Sequence, residues 1–202
     1  MTSQPVEAYP RQSERRWVPF AVYVGVFVAA GVAAGVASAL GPEPHGHWSG
    51  HLADATNDIG TIVVVVVGAA LAWRPLGHLA VKLPAYGALA TVVVGLVMMA
   101  AGNLRVARSI WRTPNGDEEL GQFESLSGFD SGHDLVGTGG LWVVIGGAAF
   151  AIVLGVSRRV GVAAAVAGGI FAVIIPPWLF TGIAVMFLLA VLLRPRHPRL
   201  PQ

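Results

Sequence analysis

The sequence predicts an all-α polytopic membrane protein, a six-transmembrane-helix bundle, and three observations carry that prediction. Of 202 residues, 54% are hydrophobic and only 12% are charged, with a mean hydropathy of +0.66, whereas soluble domains carry about 25% charged residues. The apolar residues fall into long runs divided by charged or turn-forming segments, and the charges are sorted by sign between alternate segments. Backbone amides in lipid must be bonded internally, so even the valine block Val63 to Val67 reads as helix rather than strand. The 26 glycines, against 8% aromatic residues, predict helices packed closely through small side chains.

Taken in order, residues 1–16 are polar, carry Pro5 and Pro10, and read as a disordered cytoplasmic tail. The first apolar run, Trp17 to Leu40, is longer than the core of a signal peptide and reads as a retained helix. Its Gly31 and Gly35 have the GxxxG spacing of close helix packing, and Gly41-Pro42 ends it. An outer loop, 41–57, leads to a second span from Asp58 to Trp73, stopped by Arg74-Pro75. The third span covers Leu83 to Gly102. A long outer loop, 103–134, follows, and in it Arg105, Arg108 and Arg112 stand at i, i+3 and i+7, one face of a helical extension that Thr113-Pro114-Asn115-Gly116 should end. The fourth span is Leu135 to Val156, the turn Ser157-Arg158-Arg159 follows, and the fifth is Val160 to Ile175. As one helix, Val160 to Leu193 would run on the order of 50 Å, too long for an apolar core of about 30 Å. Pro176-Pro177 therefore divides it, leaving a sixth span from Trp178 to Leu193 and a cytoplasmic tail over 194–202.

Charge placement orients this layout. All 13 basic residues except Arg105, Arg108 and Arg112 fall on one side, and all 11 acids except Glu7 and Glu14 fall on the other. By the positive-inside rule both termini should be cytoplasmic, as expected of a multi-pass inner-membrane protein. The same placement accounts for the pI near 9.5 without nucleic acid as a partner. The absence of cysteine excludes disulfides, thiolate nucleophiles and thiolate metal sites.

No Asp, Glu, Lys, Arg or His lies in the middle of an expected span, which counts against proton relays, ion-coupled transport and haem. His78, near the inner surface, has no evident axial partner. Asn57-Asp58 and His133-Asp134 each open an expected span, where an Asp would serve as a helix cap. Candidate chemistry therefore gathers at the outer mouth. His45, His47 and His51, with Asp54, Asp58, His133 and Asp134 nearby, offer imidazole and carboxylate ligands suited to a divalent metal, although no HExxH motif is present. Arg105, Arg108 and Arg112 suit an anionic headgroup, or pair with Asp117, Glu118, Glu119 and Glu124 in the same loop.

A polar segment ending in Asn57 before the second span, and a long outer segment ending in His133 before the fourth, resemble the DUF998 group of bacterial integral membrane proteins. The resemblance covers about Trp17 to Leu193, implies six helices and supplies no activity; the Phe-Pro dipeptide expected soon after the third span is missing here. Two function classes follow. One is a binding or accessory protein whose outer face, with Asn57, Asp54 and the arginines, meets a lipid, a small molecule, a partner membrane subunit or a second copy of the chain. The other is a small membrane enzyme acting on a lipid-like anionic substrate, with His133 as acid or base beside Asp134 and Asp58.

Overall fold

The computed structural model describes residues 46–112, 127–174 and 177–193, together with Gly25, Val26, Ala29, Ala33 and Val36 of the expected first span. These residues form five helices: α1 (Gly46–Ala72), α2 (Leu79–Arg112), α3 (Ser127–Val156), α4 (Val162–Ile174) and α5 (Pro177–Leu193). No strand occurs among the described residues. Three helical stretches, Gly50–Ala72, Leu79–Trp111 and Gly128–Val156, are long and apolar enough to cross a membrane. The protein is thus helical and membrane-embedded. Ile152, Leu141 and Val94 stand 64%, 59% and 54% exposed on those helices, a surface that acyl chains cover at no hydrophobic cost.

The remaining expected spans are less complete. The positions described in the first are helical, and the Val26 side chain fills the space that a Cβ on Gly60 would take, so this segment packs against α1. Helices α4 and α5 have 13 and 17 residues, about 20 and 26 Å at 1.5 Å per residue. They fold back on one another: Leu188 of α5 packs beside Gly168 of α4, a pair that one continuous helix would hold about 30 Å apart. Helix α5 also rests on α1 and α3, and Leu188 and Leu189 are buried there with Val64, Val65 and Phe150.

The most extensive contact is the antiparallel pair α2 and α3. A seven-residue repeat of small residues makes it possible. Ala88, Gly95 and Gly102 on α2 face Gly146, Gly139 and Gly132 on α3, with Ser109 continuing the α2 series against Gly128. A Cβ added at Gly95 would lie 2.5 Å from the Gly139 carbonyl oxygen, and one added at Gly102 the same 2.5 Å from that of Gly132. The helices meet backbone to backbone, held by dispersion over a continuous seam. A seven-residue period keeps such a seam facing its partner through a slight left-handed supercoil.

The seam runs beyond the apolar stretch, and this explains a departure from the expected loops. Helix α2 continues to Arg112, as the expected arginine-bearing extension does, but α1 already starts at Gly46 and α3 at Ser127, so much of 41–57 and the end of 103–134 is helical as well. The cap reading of Asp58 and Asp134 is corrected accordingly. Asp58 lies near the centre of α1, and Asp134 is past the first turn of α3, so neither meets the free amides of a helix start.

The opposite end of the bundle gathers the basic turns. Gly77, at φ 73°, closes the α1 to α2 turn in the left-handed region, with the Arg159 guanidinium packed on it. Helix α3 ends in a Schellman arrangement. The Arg159 amide donates to the Leu154 carbonyl at 2.9 Å and that of Arg158 to Gly155 at 3.0 Å, with Arg158 itself at φ 53°. Lys82 lies 3.8 Å over the Trp73 ring, and the Tyr86 hydroxyl donates to the Ala69 carbonyl at 2.6 Å. Aromatic rings beside cations mark the level of a membrane surface.

Candidate functional site

At the other end, three helices bring polar side chains together. His51 and Asp58 are seven residues apart on α1, two turns along one face. Asn103 of α2 lies between them, its side-chain amide donating to Asp58 Oδ2 at 3.3 Å while its Oδ1 stands 3.1 Å from His51 Nδ1. Asp58 and Asn103 are only 3% and 4% exposed. His133 of α3 completes the group, its ring centre 5.8 Å from that of His51 and nearly perpendicular to it, at 83°. The seam places it: Gly102 and Gly132 touch, so the residues that follow them, Asn103 and His133, are held at the same level.

The hydrogen bonds fix proton positions. Asn103 turns its NH₂ to Asp58 and its carbonyl oxygen to His51, and an amide oxygen only accepts. His51 therefore donates from Nδ1, which leaves its Nε2 outside this chain of bonds. His133 is held in the same way, because its Nδ1 stands 3.1 Å from the Phe129 carbonyl, an acceptor. Phe129 also braces the His133 ring, with ring centres 4.4 Å apart. Above the cluster the indoles of Trp48 and Trp111 meet edge to face at 5.1 Å, joining the outer turns of α1 and α2. Two buried polar atoms in this region, Trp48 Nε1 and Asn57 Oδ1, have no hydrogen-bond partner among the described residues. The Thr61 hydroxyl, buried one turn below Asn57, donates to the Asn57 backbone carbonyl at 2.9 Å rather than to its side chain.

The sequence-derived candidates divide clearly. His51, Asp58 and His133 converge, and Asn57 lies beside Asp58 with its unpaired oxygen. Asp54 and Asp134 are exposed, as are Arg105 and Arg108, which occupy the side of α2 turned away from Asn103. His45, the His47 and Arg112 side chains, and Asp117, Glu118, Glu119 and Glu124 lie outside what is described. Among the described residues no three His, Asp or Glu side chains gather as a metal site. Asn103 is the residue that composition alone passes over. The available signal was its place in the stripe Leu96, Met99, Asn103, Val106, Ile110, whose other members are all buried apolar residues.

The expectation that no ionisable group lies in the middle of a span is also corrected, since Asp58 stands near the centre of the apolar stretch Gly50–Ala72. Asp58 precedes Trp73 by fifteen positions, about 22 Å along the helix, less than the thickness of an apolar core of about 30 Å. Comparison with protein-family models, with curated proteins and with solved structures finds no match to this chain.

Proposed function

We propose that the chain is a six-span protein of a bacterial inner membrane, with both termini cytoplasmic, that binds a polar ligand at its outer mouth through His51, Asn103, Asp58 and His133. The observation that carries this reading is the buried Asp58 and Asn103 pair, reached from the outer end through His51. An amide at that depth costs on the order of 2 to 7 kcal/mol of desolvation if left unpaired, and an ionised carboxylate far more, and polarity at membrane depth is characteristically tied to a binding or transfer role. The unpaired Asn57 oxygen and Trp48 N–H add one acceptor and one donor in the same region. The ligand class is a small molecule, a lipid headgroup or the polar end of a partner subunit. Of the two positions that carry the DUF998 resemblance, His133 is in the cluster and Asn57 adjoins Asp58.

Native mass spectrometry of the full chain in mild detergent tests this. A retained species that disappears in Asp58→Asn and Asn103→Leu supports the mouth as its site. Retention unchanged in both variants removes it.

The enzyme reading is favoured by one observation, the relay that orients His51. It shifts the acid or base role from His133 with Asp134 to His51 backed by Asn103 and Asp58. With Arg105 and Arg108 on the far side of α2, the anionic clamp expected of such an enzyme is not supplied by those two residues.

A further inference from the structure

We infer that His51 and His133 form a two-imidazole site for a divalent transition-metal ion of the zinc or copper class, open on its remaining coordination positions. The inference deepens the mouth-binding reading and rests on it. Its basis is the pair of Nδ1 hydrogen bonds, not the mere presence of histidines. His51 Nδ1 is committed to Asn103 and His133 Nδ1 to the Phe129 carbonyl. Each ring is thereby fixed in the tautomer whose lone pair sits on Nε2. Metal-binding histidines are oriented in this manner, by donation from the other ring nitrogen to a carbonyl or carboxylate. Asp58, behind Asn103, accepts from its NH₂ and holds that amide in the orientation that presents its oxygen to His51.

The spacing agrees. A metal to nitrogen distance of about 2.0 to 2.1 Å, plus about 1.1 Å from nitrogen to ring centre, places each centre about 3.2 Å from a shared ion. An angle of about 110 to 130° at the metal then separates the two centres by about 5.2 to 5.8 Å. The observed separation is 5.8 Å. The rings come from α1 and α3, so the ion would bridge two helices that touch little elsewhere, with α2 and its Asn103 between them as the support. Both nitrogens bind in their neutral form, so no proton need leave. No third His, Asp or Glu joins the pair among the described residues, and the open positions fall to water or to a donor atom of an incoming ligand, the pattern of binding and catalytic metals rather than structural ones.

This differs from the histidine set His45, His47 and His51 that spacing in the sequence suggests, and the two are separable. Purified full chain in detergent is titrated with Zn²⁺ against a chromophoric chelator, and Co²⁺ absorption reports the ligand field. One equivalent binds the wild type. His133→Ala and His51→Ala each weaken binding at least tenfold, and Asn103→Leu weakens it by about 10- to 100-fold, the usual effect of removing the group that orients a ligand. His78→Ala, at the opposite end, leaves it unchanged. Size-exclusion profile and thermal midpoint establish that each variant is folded, and His133 is exposed enough that its removal leaves the packing intact. Absent stoichiometric binding, or binding unaltered in His133→Ala but lost in His45→Ala or His47→Ala, overturns the site. A retained organic ligand that still depends on Asp58 would, in that event, leave the mouth-binding reading standing on its own.

Discussion

Gly139→Ala on α3 should loosen the bundle by prying α2 from α3, and the structure sets the size of the effect. The new Cβ would lie 2.5 Å from the Gly95 carbonyl oxygen, 2.8 Å from Met99 Cγ and 2.9 Å from the Met99 nitrogen. A carbon rests about 3.3 to 3.6 Å from a carbonyl oxygen, so the backbones must separate locally by roughly 0.8 to 1 Å. A gap of that size forfeits a quarter to a half of each dispersion contact along the seam. Over-packing of this kind costs about 1 to 3 kcal/mol. Two of the obstructing atoms are backbone and cannot rotate away, which places the cost toward the upper end. Replacing glycine by alanine also raises helix propensity by about 1 kcal/mol, and a matched variant removes that contribution. Gly137, two residues earlier on the same helix, has nothing within 4 Å of its added Cβ. The difference between Gly139→Ala and Gly137→Ala therefore isolates packing, at about 2 to 3 kcal/mol in favour of Gly137→Ala. Equilibrium unfolding of the full chain in mixed micelles, followed by helical circular dichroism, measures it. Equal stability of the two variants would refute the backbone-contact seam.

Four other outcomes follow from the fold and the proposed topology. Asn103→Ala leaves the buried Asp58 and the part-buried His51 without their partner and should cost about 1 to 3 kcal/mol, while adding Asp58→Ala should cost less than the two single losses together, a coupling that a double-mutant cycle on unfolding reads directly. Gly77→Ala should destabilise by about 1 kcal/mol or more, having both a positive φ and the Arg159 guanidinium in the way, whereas Arg158→Gly relieves a left-handed non-glycine and should gain up to about 1 kcal/mol; thermal midpoints that move the opposite way contradict this account of the turns. A single cysteine at Ser125 should react with an impermeant thiol reagent from outside the membrane and one at Ser157 only from the cytoplasm, and the reverse pattern would invert the topology. Gly132→Ala should weaken Zn²⁺ binding at the mouth where Gly139→Ala does not, although both disturb the seam; a common effect on binding would detach the seam from the site.

The helical class and the main apolar segments were legible because lipid simplifies the problem. Apolar length and charge sign determine most of a span, and Arg74-Pro75, Ser157-Arg158-Arg159 and Pro176-Pro177 interrupt the chain where helices end or begin. The helix ends at the mouth were not legible by the same rule. His45 to Asp58 and the residues just before His133 are polar, and polarity was read as loop, yet much of each is wound into helix because Trp48 meets Trp111 and because the glycine seam continues past the apolar residues, whereas the extension of α2 to Arg112 was legible in the i, i+3, i+7 spacing of its arginines. The seam itself was present as a spacing of seven in Gly95 and Gly102 and in Gly132, Gly139 and Gly146. The four-residue GxxxG pair Gly31 and Gly35 is a separate spacing, on a different segment from the seam. In the site, His51, Asp58 and His133 were found by residue type. Their connection was hidden, since Asn103 contributes no charge and only its position on the buried stripe of α2 distinguishes it.

The location of Asp58 joins the fold to the proposed function. Had Asp58 been a cap at the membrane surface, its replacement would have cost a modest amount of helix stability, about 1 kcal/mol. Buried near the middle of α1, it needs a partner that only a neighbouring helix can supply, and Asn103 reaches it because α2 is held at that height by its seam with α3. The seam leaves no bulk between α2 and α3, so the residues beside its glycines are held at a fixed level. Asn103 follows Gly102 and His133 follows Gly132, each one position from a backbone contact. A bundle packed through leucines would have tolerated sliding of one helix on another; one packed through backbone has little such freedom. The same glycines that make the close contact thus set the spacing of Asn103 and His133, and through the Asn103 hydrogen bond that of His51 and His133, a fixed spacing that a small ion, unlike a flexible chain, can discriminate.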